Sequence, residues 1–146
     1  MNSRIVTMFS AFALATSAYA DGHATGDAEA GEKEFKKCKA CHMIQDADGA
    51  DIVKGGKTGP NLYGVYTRAA GSVEGFKYSK SVTAAGDAGL EWNEEDFVNY
   101  VADPTGFLQS YLDDSKAKGK MTFKLKNGDK AKDVWAYLVS VGPDAE

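Results

Sequence analysis

Basic residues do not outnumber acidic ones in this chain: 17 Lys and Arg stand against 21 Asp and Glu, a formal net charge of -4. General nucleic-acid binding rests mainly on basic surface, so that class is excluded. Long apolar runs are also missing. The stretch Ile5 to Ala15 falls short of the roughly 20 residues that span a bilayer, and no other stretch comes closer. Cysteine is confined to Cys38 and Cys41, with only Lys39 and Ala40 between them. Closing so small a loop restrains little of the unfolded chain, so a disulfide-stapled scaffold is excluded too. Histidine is limited to His23 and His42.

What is present fits one domain behind a leader. The length of 146 residues suits a single domain, and 43% hydrophobic with 26% charged residues is ordinary globular composition. Residues 1–20 have the parts of a secretory signal: Arg4, an apolar centre, and Ala18-Tyr19-Ala20 before the cut. An uncleaved anchor is the alternative. Removing Arg4 from the 17 basic residues leaves 16 against 21 acidic ones, net -5, in a mature domain of residues 21–146. That domain is expected to be soluble outside the cytoplasmic membrane.

The small polar residues 21–26 predict a loose start. Asp27 to about Lys39 is rich in Ala, Glu and Lys, with acids early, as a helix prefers. From Ala47 to Gly75 the chain is glycine-rich without a sustained period, and such a stretch needs something to pack against, as a bound cofactor would provide. Tyr78 to Ala85 predicts a short helix stopped by Gly86. Asn93 predicts an N-cap for a helix reaching Ala102, because Asp103 precedes Pro104. Residues 104–128 predict mixed short helix and loop. Val134, Trp135, Tyr137, Leu138 and Val141 define a last helix ended by Gly142 and Pro143. No repeat or strand is evident, and the class is all-α, with short helices and long loops.

Cys38-Lys39-Ala40-Cys41-His42 is the C-x-x-C-H pattern of covalent c-type haem attachment. Two thiols on one turn reach the two haem vinyl groups, and the following imidazole lies under the iron. A thioredoxin-like pair needs a βαβ setting that is missing here. A tetrahedral zinc site lacks a convincing fourth ligand. The sixth iron ligand follows by elimination among the four methionines. Met1 and Met8 leave with the leader, and Met43 adjoins His42 and cannot reach the opposite haem face. Met121 remains, in a lysine-rich loop where plain core packing is the competing role. His/Met ligation raises the potential and suits electron transfer.

These residues resemble those of class I c-type cytochromes, most closely the long-loop bacterial cytochrome c2 type, over nearly all of residues 21–146. The resemblance implies the cytochrome c fold wrapped around one haem c, held by Cys38 and Cys41 with His42 and Met121 on the iron. It places Gly31 and Phe35 on a first helix packed against Tyr137. It implies that Thr58-Gly-Pro-Asn-Leu62 is the loop whose Pro60 backs His42, an adjacent carbonyl taking the imidazole N–H. Arg68, Tyr78 and Trp92 match positions that bind the haem propionates or lie near them. Tyr100 matches a hydroxyl near the ligand sulfur, and Phe123 an aromatic beside the haem edge. Gly119 departs from mitochondrial members, which carry a propionate-bonding hydroxyl there.

A monomeric periplasmic electron carrier, rather than an enzyme, is what this resemblance implies. Its donor would be a quinol–cytochrome c oxidoreductase. Its acceptor would be a terminal oxidase, a photosynthetic reaction centre or a periplasmic reductase. The alternatives, a haem enzyme or a gas-binding protein, require an open iron position; peroxidases add a second haem, and cytochrome c′-like proteins carry the motif near the chain's end. Seven lysines lie in residues 116–132 against one acid, and Lys36, Lys37 and Lys39 adjoin the cysteines. Residues 87–103 hold six acids and no base. A lysine run is usually a solvated surface, but two runs flanking the haem ligands predict a docking face.

Overall fold

The computed structural model describes residues 23–143, so the leader and its cleavage site lie outside the described residues. The first helix, α1 (Ala28–Phe35), is opened by Asp27, whose carboxylate accepts from the Ala30 N–H at 3.0 Å. It ends earlier than the sequence predicts. Phe35 O takes both the Cys38 and Lys39 N–H groups, and the chain runs to Cys41 in tight turns. Beyond those turns a crossing loop takes the backbone carbonyls: Gly56 N–H donates to Lys39 O at 2.9 Å and Gly59 N–H to Cys41 O at 2.8 Å.

A strand pair follows where none is expected: β1 (Ile44–Gln45) runs antiparallel to β2 (Asp51–Val53). Two or three residues are too few to show alternation. The turn is built by the Asp46 carboxylate, which accepts from Asp48 N–H at 3.0 Å and Ala50 N–H at 2.8 Å. Beyond one 3-10 turn at Val65–Thr67 comes α2 (Lys80–Asp87), capped by Ser79. It starts two residues later than expected and runs through Gly86. That glycine is there for space, since a Cβ would lie 2.0 Å from Ala70 O. α3 (Glu94–Ala102) has the expected Asn93 cap and limits. α4 (Pro104–Leu112) gives residues 104–128 more helix than their composition suggests, with Asp103 as cap and proline at its first position. α5 (Gly128–Ser140) carries the predicted apolar stripe, buried at Val134, Trp135, Tyr137 and Leu138.

α1 crosses α5 at Gly31, where a Cβ would come within 1.9 Å of Asp133 O, and the Phe35 and Tyr137 rings meet at 5.6 Å. Phe97 of α3 packs on Trp135 at 5.2 Å. A second buried cluster joins α2 and α4 through Val82, Ala85 and Leu108. Trp92 and Tyr100 pack against both clusters and bridge them. Of the predicted loose start, residues 23–26 are strapped down, and residues 21 and 22 lie outside the described residues. Trp135 Nε1–H donates to His23 O at 3.1 Å, and Thr25 N–H and hydroxyl donate to the Glu94 carboxylate, each at 2.6 Å. Composition alone does not show such partners, which lie 69 to 112 residues away.

Candidate functional site

Both cysteines are free thiols, Cys38 half-buried and Cys41 exposed. Burial first, and then the Glu34 carboxylate, pushes the Cys38 thiol up to about 11, so it stays protonated. His42 follows on the same turn, its N–H bonded to Cys38 O at 2.9 Å. Its ring Nδ1 lies 2.8 Å from the Pro60 carbonyl oxygen. A carbonyl only accepts, so Nδ1 carries the proton and Nε2 keeps its lone pair. Burial is the main cause that lowers the imidazole pKa, which keeps the ring neutral as metal ligation requires. The acceptor predicted beside Pro60 is therefore the proline's own carbonyl.

The loop holding that carbonyl is fixed in several ways. A Cβ at Gly59 would fall 2.3 Å from His42 Cε1, so the loop lies flat against the ring edge. Asn61 Oδ1 accepts from Gln45 N–H and Tyr63 N–H, both at 3.0 Å, and its amide donates to Gln45 O at 2.7 Å. Arg68 donates to Tyr63 O at 2.8 Å and to Asn61 O at 2.5 Å. Burial lowers the pKa of this guanidinium, yet its two bonds leave other N–H donors for an anion. Arg68 thus holds the histidine loop, a role the propionate expectation did not include. Asn61 was within the predicted motif, but nothing in its spacing marked it as the pin.

The other wall comes from α3, the loop before α2, and the loop between α4 and α5. The Tyr78 hydroxyl accepts from Val73 N–H at 3.3 Å, and burial raises its pKa. Trp92 and Tyr100 meet edge to face at 5.0 Å. Burial pushes the Tyr100 phenol up to about 12. Met121 is half-buried against the larger core cluster, which Cys38, Trp92 and Tyr100 also border. Its loop is anchored on both sides: Lys118 N–H donates to Ser81 Oγ at 3.0 Å, Lys120 Nζ to Lys77 O, and Leu125 N–H to Val101 O at 2.7 Å. Ser81 and Lys77 lie some 40 residues away, so sequence proximity gave no sign of them. At Gly119 a Cβ would lie 3.6 Å from the Tyr100 hydroxyl. Phe123 is 40% exposed, as an aromatic at a rim would be.

This donor set fits a haem better than a bare metal. Among the described residues no three His, Cys, Asp or Glu side chains gather around one point. A neutral imidazole with Nε2 unblocked, two unpaired thiols on its turn and a thioether on a separate anchored loop match the needs of a covalent haem. An open cleft of about 310 Å³ lies elsewhere, lined by Met43, Gln45, Asp51, Lys54, Gly55 and Lys57. Of the predicted site residues it includes none. No helix of the described residues is long and apolar enough to cross a membrane.

No family model matches the chain. Individual proteins do. Cytochrome c-551 of Roseobacter denitrificans is 58% identical over 118 residues, covering 81% of this chain and 83% of that protein. Cytochrome c2 of Rhodovulum adriaticum is 52% identical over 123 residues, covering 84% and 98%. The crystal structure of cytochrome c2 from Rhodobacter capsulatus superposes with a TM-score of 0.76 at 58% identity, covering 80% of this chain and 98% of that one. Helices with the same fold and this level of identity settle the assignment: the chain belongs to the cytochrome c2 family of class I c-type cytochromes, haem-binding proteins of electron transport.

Proposed function

We propose that the chain is a soluble periplasmic one-electron carrier, with one haem bonded to Cys38 and Cys41 and its iron held by His42 and Met121. The observation that carries this reading is the His42 Nδ1–Pro60 bond of 2.8 Å, which fixes the tautomer and leaves Nε2 with its lone pair. When bound, the haem supplies a reversible Fe(III)/Fe(II) couple. Everything else is done by the chain. His42 is held neutral and oriented by Pro60, and Met121 is kept in place by the bonds its loop makes to Ser81, Lys77 and Val101. Ligands held in place in this way would keep rearrangement during transfer small. Arg68 and Tyr78 present donors to the propionates, which lowers the cost of burying that charge.

Residues 1–20 would direct export and be removed, leaving 21–146 as a monomeric carrier without catalytic activity. Electrons would come from a quinol–cytochrome c oxidoreductase. They would leave to a terminal oxidase, a photosynthetic reaction centre or a periplasmic reductase. The test is chemical and spectral. Haem should resist extraction by acidified organic solvent, and intact mass should equal residues 21–146 plus one haem. The ferric protein should show a weak Met–iron band in the red, lost in Met121→Ala, which should also gain affinity for small ligands. Freely extracted haem would end the covalent assignment; a high-spin spectrum in the native protein would point instead to an open-iron enzyme or gas-binding protein.

A further inference from the structure

The chain has two histidines, and the haem reading uses only His42. His23 is left over. It is exposed, and its carbonyl oxygen accepts from Trp135 Nε1–H at 3.1 Å. That bond fastens the residue by its oxygen, and no described residue bonds its backbone nitrogen or its imidazole. The residues after it are held as well: Ala24 packs on the larger core cluster, and Thr25 bonds Glu94 twice at 2.6 Å. Ahead of it the sequence has Asp21 and Gly22, which precede the described residues and follow directly on Ala18-Tyr19-Ala20. Cleavage after Ala20 makes His23 the third residue of the mature chain, behind a free α-amine. An α-amine, the next two amides and an imidazole on the third residue are four nitrogens that close in a plane around one metal ion. A square plane of nitrogens is what Cu(II) prefers, as Ni(II) does, whereas Zn(II) prefers a tetrahedron.

We propose that the mature amino terminus, Asp21-Gly22-His23, binds one Cu(II) ion at a site separate from the haem. This rests on the export reading above. The ligands are the Asp21 amine, the Gly22 and His23 backbone nitrogens, and His23 Nδ1, the ring nitrogen nearer the backbone. The ammonium and the two amides each give one proton to water, and the neutral imidazole gives a lone pair. No electron changes hands. The two anionic amides match the charge of the ion, so the loaded site carries no net charge from the metal. Gly22 has the N–H that this chemistry consumes, which a proline there would lack. The His23 carbonyl is not a ligand, so its bond to Trp135 is kept when copper binds. Because that bond already holds His23, only Asp21 and Gly22 remain to be ordered, which lowers the entropic cost of binding. With His42 and both thiols engaged by the haem, His23 is the one imidazole left for a second metal.

The test uses the exported, haem-loaded protein and begins with its amino-terminal sequence, so failure of the export reading is seen separately. Cu(II) sulfate is then titrated in, with uptake read by intact mass and by the copper EPR signal, whose nitrogen splitting is distinct from the signal of haem iron. The native protein should take up one Cu(II) per chain with four nitrogen ligands, and excess Zn(II) should not displace it. His23→Ala should weaken binding about a hundred-fold or more, and so should Gly22→Pro, which keeps the imidazole. One glycine inserted after Asp21 keeps every ligand residue but moves the histidine to the fourth place, and the same loss is expected. A chain that starts at Asp21 yet binds no copper, yields it to Zn(II), or binds it equally well with the inserted glycine overturns the site. A chain that starts elsewhere overturns it together with the cleavage after Ala20.

Discussion

His42 and Pro60 are joined across 18 residues by a single bond, imidazole Nδ1 to proline carbonyl at 2.8 Å. Gly59 makes this possible by having no side chain, since a Cβ there would lie 2.3 Å from Cε1. Gly59→Ala should therefore push the loop off the ring, costing about 1–3 kcal/mol as overpacking usually does. The Nδ1 proton should also exchange faster with solvent. Pro60→Ala keeps the carbonyl and should leave that exchange slow. Proton NMR of the imidazole N–H distinguishes the two, and equal exchange in both would show that Gly59 does not set the contact.

Gly31 does for the helices what Gly59 does for the ring. With a Cβ 1.9 Å from Asp133 O, and 2.8 Å from Tyr137 Cβ, alanine cannot be taken up by a side-chain rotation. α1 must part from α5, which opens the Phe35–Tyr137 contact at 5.6 Å. Gly31→Ala should lower stability by about 1–3 kcal/mol or more, seen as a lower denaturant midpoint. An unshifted midpoint would mean that the crossing slides freely.

Much of this was legible in the sequence because the chemistry is local. Cys38, Cys41 and His42 share one turn, and Asn93 with its three acids announces α3. The apolar stripe of α5 is equally plain. What was not legible depends on partners far along the chain. The hairpin at Ile44–Val53 is too short for a period. α1 gives way after Phe35 to tight turns whose Lys39 and Cys41 carbonyls are bonded by the glycine loop 17 to 18 residues further on. Residues 23–26, within the stretch 21–26 that reads as loose, are held once Glu94 and Trp135 are beside them. Gly86 reads as a stop, yet it is a point of close approach to Ala70 O. A sequence shows which backbone is permitted, and only the fold shows which neighbour requires it.

Glu34 ties α1 to α5, accepting from Lys37 and from Lys130, each at 2.8 Å. Hydrogen bonds from Lys130 first, then Lys37, hold its carboxyl below the usual value of 4.5. A carboxyl with a lower pKa folded than unfolded stabilises the fold above its unfolded value. That contribution fades as pH falls from there through the folded value. Glu34→Gln should therefore lower stability at neutral pH and shrink the loss seen on acidification. Denaturant midpoints from about pH 7 down to about pH 3 check this. Parallel curves for native and variant would show that the pair contributes nothing, as many exposed pairs do.

The last prediction concerns which lysines meet a redox partner. Counting charges along residues 116–132 treats all seven lysines alike, but the fold does not. Lys124 is paired with Asp103 at 2.8 Å, Lys130 with Glu34, and Lys120 is bound to Lys77 O beside Met121. Lys116, Lys118, Lys126 and Lys132 are exposed and make no ion pair with a described residue. A charge is felt over roughly 10 Å at 0.1 M salt, so these act on a docking partner more than distant acids do. Steering can raise association from about 10⁵–10⁶ to 10⁸–10⁹ M⁻¹s⁻¹ at low salt. Lys118→Glu with Lys126→Glu should slow electron transfer to an acidic membrane partner at least ten-fold at low salt, with little effect at high salt. Lys124→Gln should do far less, because its charge is already matched. The measurement is the transfer rate against ionic strength for all three proteins. Lys124→Gln as slow as the double reversal would mean that net charge, and not the unpaired lysines, sets the rate.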